Sequence, residues 1–328
     1  MKEICRFCNS SNIERVNTYK HYWFSCKNCG TAYSKRKNHY PLSYPIFVKV
    51  IKGLNKLAFN KLKFLERIYL PSESIREDDS KYYAQYVELL KNNDVSLETG
   101  EKSQFKEISK HLANVDINFS GKKVLMISGG PGICPKAISE VAKELVVTEF
   151  SLETVNAMKK YLGLDVIQFD LNSDKLDDTF KGRKFDIVIA SAVLGFCLDL
   201  RKFSESLEKI LSDDGTVYIS HGAPTLGQML FYQWDEYTAL VMYKREAYLK
   251  VFNEDAGFKK IGEFDHNYEI FFFRLRQGGW KGFVLYLFTA PFWILYGLIA
   301  LFFNRGINKD FGAEAYRYIF KHKKKTSK

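Results

Sequence analysis

An apolar run, Val124, Leu125, Met126 and Ile127, leads straight into Ser128, Gly129, Gly130, Pro131 and Gly132. The run has the length and composition of a buried strand. The glycines let the backbone bend sharply and let a ligand approach it closely. A helix is expected to begin near Pro135, a residue that suits a first helical position. Strand, glycine turn and helix in this order make a crevice at the carboxyl end of the first strand of an α/β sheet. Alone, the turn is an ordinary βα connection; the residues after it give it weight.

Strand patterns recur at the pitch of a doubly wound sheet. Leu145, Val146, Val147, Thr148 and Glu149 form a second run that ends in a carboxylate. A third, residues 165–170, ends in Asp170. A fourth, residues 185–191, is almost wholly apolar, as a strand covered on both faces must be. A fifth, residues 215–220, is entered through a turn at 212–215. Helical patterns at 137–143, 151–162 and 200–211 separate them. This alternation argues a parallel sheet with helices on both faces. The spaced G-x-G-x-x-G of NAD-binding sheets is absent.

On these motifs, residues 122–276 resemble a class I S-adenosylmethionine-dependent methyltransferase with a Rossmann-like doubly wound sheet. The resemblance implies that Ser128, Gly129, Gly130 and Gly132 cradle S-adenosylmethionine. It implies that Glu149 binds the ribose and Asp170 the adenine amino group, with Phe150, Leu171 and Ser191 beside them. Glu254–Phe258, residues 259–264 and residues 269–276 resemble the closing helix and final hairpin of that fold. The chain departs from the family at Met126, where an acid is usual, and at Gly195-Phe196, where many members carry Glu-His. After the fifth strand His221 overlooks the transfer site in this fold. A histidine there could take a proton from an acceptor hydroxyl, or it could simply bond a loop carbonyl.

Two further features stand outside the sheet. Cys5, Cys8, Cys26 and Cys29 form two C-x-x-C pairs, the spacing of a closed four-thiolate Zn2+ site that is structural rather than catalytic. Residues 14–19 and 22–24 between the pairs read as a short hairpin, so a small N-terminal zinc ribbon is expected. Gly282 to Phe303 is a run of 22 residues without a charge, long enough to cross a bilayer core. Basic residues flank it on both sides and Pro291 interrupts it, which favours a re-entrant or in-plane anchor over a single span. Residues 42–70 add a basic amphipathic helical pattern that suits an anionic bilayer or a lid on the core.

The expected organisation is a ribbon at 1–40, a basic helical linker or lid at 41–120, the methyltransferase domain at 121–277, and a membrane helix with a basic tail at 278–328. Residues 80–90 and 102–112 are expected to be helical, with Tyr82, Tyr83 and Tyr86 able to reach the site or to pack. Residues 228–251 read as one long aromatic-rich helix. The net charge of +11 calls for an anionic partner. No Asn/Asp-Pro-Pro-Tyr and no Pro-Cys follows the fourth strand, which argues against base methylation; Cys134 and Cys197 are expected to pack as small apolar residues. The leading expectation is a membrane-associated enzyme, its catalytic domain in the cytoplasm, acting on a lipid-linked saccharide or a lipid. An RNA methyltransferase and a noncatalytic membrane-tethered binding module are the alternatives. Acceptor identity and oligomeric state are not written in the sequence.

Overall fold

The computed structural model describes residues 4–5, 9–17, 21–28, 32–36, 84, 87–88, 90–91, 95–130, 132–222, 241–243, 245–266 and 315–323. The expectations for Cys8, Cys29, residues 42–70, Tyr82, Tyr83, Tyr86, residues 228–240, 269–276 and 282–303 lie outside them.

The sheet is built as its apolar runs dictate. The strands are β4 (Lys123–Ile127), β5 (Glu144–Glu149), β6 (Asp165–Gln168), β7 (Phe185–Ser191), β8 (Leu211–Gly222), β10 (Phe258–His266) and β11 (Ala315–His322). Their order is β10-β11-β8-β7-β4-β5-β6. β4 through β8 pair in parallel, and β11 lies antiparallel between β8 and β10. The expected turn at 212–215 is absorbed into β8 as an irregularity, where the register against β7 shifts between Phe185 and Ile187.

Period-two side-chain alternation divides the core in two. Val124, Met126, Val147, Ile187, Ile189 and Ile319 face one helical layer, with Ile108, Leu112, Ile138 and Met158. Leu125, Ile127, Val146, Val188, Ile219 and Phe320 face the other, with Leu200, Phe203, Leu207 and Tyr248. The first layer holds α1 (Val95–Ala113), α2 (Ile133–Ser139) and α3 (Leu152–Ala157), which runs on through a π turn at Met158–Leu162. The second holds α4 (Leu176–Thr179), α5 (Leu200–Ile210) and α6 (Arg245–Val251). In α5 the buried Leu200, Phe203, Leu207 and Ile210 recur at i, i+3, i+7 and i+10, a single helical stripe. Asp199 caps it by accepting the Lys202 amide at 3.1 Å.

Three expectations change. The strand that fills the place between β8 and β10, antiparallel to both, is β11, so the sheet draws on chain that lies beyond the apolar run in sequence. Tyr316, Tyr318, Ile319 and Phe320 are all buried there, and Arg317 pairs with Glu107 of α1. A strand edge open between β8 and β10 makes this placement stable: β11 satisfies the backbone of both neighbours at once. Residues 241–243 are not helical. They form β9 (Val241–Tyr243), paired antiparallel to β3 (Ala32–Arg36), because a free edge offers Val-Met-Tyr a ladder that a helix would not. Helix α1 is longer than expected, starting at Val95.

The N-terminal segment is a meander of β1 (Ile13–Asn17), β2 (His21–Cys26) and β3, with β9 as its fourth strand. The expected hairpin between the cysteine pairs is therefore present. Cys5 and Cys26 are both buried. The Cys5 carbonyl accepts the Asn9 amide at 2.9 Å, and Asn9 has φ 56°. Among the described residues no group of three or more His, Cys, Asp or Glu could hold a metal, and no helix is long and apolar enough to cross a membrane.

Candidate functional site

Four strands end at one edge of the sheet, and the chain loops there carry most of the expected site. At the end of β4 the backbone turns sharply: Ser128 has φ 56°, Gly130 58° and Gly132 90°. Ser128 and Gly129 are tied to β5 through the Thr148 hydroxyl and carbonyl, each at 3.2 Å. Gly129 has no room for a side chain, since a Cβ there would lie 2.4 Å from Val147 Cγ1. Gly132 combines its left-handed backbone with a Cβ position 2.6 Å from Leu162 Cδ1. Gly129→Ala should therefore lower stability by about 1–3 kcal/mol, the range for overpacking. In a domain of this size that is roughly 3–10 °C in thermal midpoint, read by calorimetry.

Glu149 closes β5 and is only 3 % exposed. Burial raises its carboxyl above the ordinary value; bonds from the amides of Phe150, Ser151 and Gly130 and from the Ser128 hydroxyl partly offset that. The Phe150 amide donates to Oε1 at 2.8 Å. The glycine loop and the acid are thus one hydrogen-bonded unit. This is a cradle of amides and a carboxylate with the chemistry to hold a ribose and an aminoacyl group. Beside it, Phe150 is exposed and Leu171 half-buried.

Asp170 follows β6 and accepts the Asn172 amide through Oδ1 at 2.9 Å. Asn172 also joins two loops: its Nδ2 donates to the Phe196 carbonyl at 3.0 Å and its Oδ1 accepts the Leu198 amide at 2.8 Å. Ser191 ends β7 and accepts from Gln104 Nε2 of α1 at 3.0 Å. Its neighbour Ala192 has φ 56°, a second non-glycine residue held in the left-handed region at this edge, like Ser128. Strain of this kind collects where surrounding structure fixes a functional loop. The structure thus gathers Ser128, Gly129, Gly130, Gly132, Glu149, Phe150, Asp170, Leu171 and Ser191 along the carboxyl ends of β4 to β7. Gln104 and Asn172 were missed from sequence. Asn172 follows Asp170 by two residues and is a natural side-chain bridge for a loop. Gln104 gave no signal, being one polar residue in a polar helix. The groove between α5 and α6, lined by Arg201, Glu205, Glu208 and Lys250, lies on the helical flank and takes no part.

His221 sits near the end of β8, but it is 4 % exposed and packs against the Tyr248 ring at 4.8 Å between centroids. Its Nε2 is 3.0 Å from the Tyr243 carbonyl, so in the neutral ring that nitrogen is the donor. Burial pushes its pKa down to about 4. Both facts suit the carbonyl-bonding role better than proton abstraction at neutral pH. The Tyr243 hydroxyl in turn donates to the Cys197 carbonyl at 2.8 Å. Two bonds therefore fasten β9, and the strand β3 paired to it, onto the carboxyl edge of the sheet. Because His221 titrates at 6.5 unfolded and about 4 folded, its stabilisation is complete above 6.5 and is lost as pH falls toward 4. The loss reaches about 3 kcal/mol at the acid end. Chemical denaturation of His221→Asn should show a flatter profile between these pH values. Cys134 and Cys197 are buried as expected, and burial pushes the Cys197 thiol up to about 12, far from a nucleophile.

A protein-family model described as a methyltransferase domain matches residues 101–262. No curated protein matches the chain. Among solved structures, it is similar to an S-adenosylmethionine-dependent methyltransferase from Mesorhizobium loti, at 12% identity and TM-score 0.43, over 64% of this chain and 95% of that one. It is similar to the N-methyltransferase NodS from Bradyrhizobium japonicum, seen with S-adenosyl-L-homocysteine, at 10% identity and TM-score 0.42, over 67% and 87%. Coclaurine N-methyltransferase, bound to N-methylheliamine and S-adenosylhomocysteine, gives 14% identity and TM-score 0.47, over 87% and 90%. The glycine cradle and the buried acid lie within this matched stretch, and residues 101–262 are a methyltransferase domain.

Proposed function

We propose that this methyltransferase works at the cytoplasmic face of a membrane and methylates a lipid-linked saccharide or a lipid. The observation that carries the reading is the uncharged run of 22 residues from Gly282 to Phe303, set among basic flanks. A sheet whose two core faces are already covered has no need of such a segment, whereas a bilayer accommodates it.

S-adenosylmethionine supplies an electrophilic methyl group on a sulfonium. The chain's own residues hold and orient it. Glu149 and the amides of the glycine loop fix the ribose end, and Asp170 with Phe150 and Leu171 flanks the adenine. Ser191, steadied by Gln104, lines the side toward the acceptor. Positioning of this sort supplies much of the rate in transfer to a well-placed nucleophile. His221 acts as a positioning residue that docks β9 at the edge. Cys5, Cys8, Cys26 and Cys29 bind one structural Zn2+; the two C-x-x-C pairs and the burial of Cys5 and Cys26 suit a closed thiolate site.

The test is transfer of radiolabelled methyl from S-adenosylmethionine by detergent-solubilised protein into separate lipid, lipid-linked glycan and RNA extracts. Label in a lipid or lipid-linked fraction is expected. Label in RNA, which the charge of +11 would serve, sinks the membrane-acceptor reading. Elemental analysis should find one zinc per chain.

A further inference from the structure

Two loops wall the carboxyl edge of the sheet on the side of the second helical layer. One, residues 169–175, joins β6 to α4; the other, residues 192–199, joins β7 to α5. Leu171 of the first and Val193, Leu194 and Cys197 of the second pack with that layer. In the sheet β4 and β5 stand between β7 and β6, so the ladder does not tie one loop to the other. Beneath the loops α4 and α5 are fastened together: the Asp177 amide donates to Ser206 Oγ at 3.1 Å and Lys209 Nζ donates to Asp177 Oδ2 at 2.7 Å.

Asn172 joins the loops themselves. Its Nδ2 donates to the Phe196 carbonyl at 3.0 Å, and its Oδ1 accepts the Leu198 amide at 2.8 Å. Turning the side-chain amide over would set donor against donor and acceptor against acceptor, so the two bonds select one orientation. Its own backbone amide donates to Asp170 Oδ1 at 2.9 Å, and the Asp170 amide donates to Asp174 Oδ2 at 2.8 Å. The residue between its two partners is held from elsewhere, where the Tyr243 hydroxyl of β9 donates to the Cys197 carbonyl at 2.8 Å. Cys197 is buried, while Phe196 and Leu198 on either side of it are exposed. The charged residues of the two loops are Asp170, Asp174, Lys175 and Asp199. Asn172 is exposed, so it holds the loop after β7 by its bonds and not by its bulk.

We propose that Asn172 is a positioning residue for methyl transfer: it passes the order of the adenine-binding loop to the loop after β7, so that bound cofactor fixes the wall beside Ser191. This rests on the reading of Asp170 and Leu171 as the adenine site and deepens it. A ligand that steadies residues 170–174 makes the Leu198 amide open less often, because that amide is bonded to the steadied loop. Transfer depends on how well nucleophile and methyl are aligned, so a fixed wall serves the reaction itself.

The test is hydrogen–deuterium exchange on the full chain with and without S-adenosyl-L-homocysteine, whose binding is followed in parallel by titration calorimetry. On binding, exchange at residues 194–199 should slow by about 2- to 12-fold, the factor one net hydrogen bond supplies. Asn172→Ala should bind the ligand nearly as tightly as the unaltered chain and lose that slowing. Tyr243→Phe removes the other tether of the same loop; it should speed exchange there in both states and keep the ligand-dependent slowing. A purely structural role for Asn172 predicts the Tyr243→Phe pattern in both variants, and that result overturns the proposal. So does loss of ligand binding in Asn172→Ala, which would place Asn172 in the cofactor site itself, or binding to the unaltered chain with no slowing at 194–199. An unaltered, folded chain that does not bind the ligand overturns the cofactor-site reading and this inference with it.

Discussion

A chain cut after Gln277 will not fold, whereas a chain in which residues 267–314 are replaced by Asn-Gly will. The first lacks β11, which lies between β8 and β10 and pairs with both. It loses the buried Tyr316, Tyr318, Ile319 and Phe320. At about 1.5–3 kcal/mol for each buried side chain, that is about 6–12 kcal/mol. The whole stability of a domain is of order 5–15 kcal/mol. Loss of Arg317 also removes an ion-pair partner of Glu107 in α1. The second variant keeps all of this. His266 and Ala315 are register partners, so a two-residue turn of type I′ joins them without strain. Cooperative thermal unfolding and S-adenosylmethionine binding should survive in the turn variant and be absent from the truncation. A truncated chain that unfolds cooperatively would mean that β11 is dispensable.

Glu149→Ala will weaken S-adenosylmethionine binding by about 100-fold, roughly 2.7 kcal/mol, measured by titration calorimetry. The substitution takes away the carboxylate that gathers the Phe150, Ser151 and Gly130 amides and the Ser128 hydroxyl. Each donor left unpaired there costs about 1–3 kcal/mol, so loop order falls with ligand contact. Glu149→Gln should fall between the two, because its amide keeps the shape but donates where the acid accepted. The pH dependence has a definite sign. The buried carboxyl binds its proton more tightly folded than unfolded. Its contribution to stability is therefore greatest in acid and declines as pH rises through the raised pKa. Ligand binding runs the opposite way, strengthening as the carboxylate ionises. Glu149→Gln should flatten both slopes, and a wild-type affinity independent of pH through the acid range would remove Glu149 from the site.

The sheet and the cofactor edge were legible because each rests on short-range chemistry. Apolar runs marked β4, β5, β6, β7 and β8, and acids at the tips of β5 and β6 stood where loops emerge. The cap at Asp199 and the stripe on α5 are likewise local. The reach of Gln104 to Ser191 was not legible, since it spans 87 positions along the chain and depends on how α1 packs. Neither was the role of His221: sequence placed it at the end of a strand, but its partner Tyr243 lies in a segment whose helical pattern gave way to an edge strand.

By itself, then, the sequence determined a doubly wound sheet, a glycine cradle with its acid, paired cysteines and a long apolar run, because periodicity, turn chemistry and spacing act over a few residues. Tertiary structure alone decided that residues 315–322 fill the place between β8 and β10, and that β3 pairs with β9. It also decided that His266 and Ala315, which bracket the apolar run in sequence, pair with each other in the sheet. These are choices of partner between distant strands. Any strand of suitable composition could fill an open edge, and only the assembled sheet shows which edges are open.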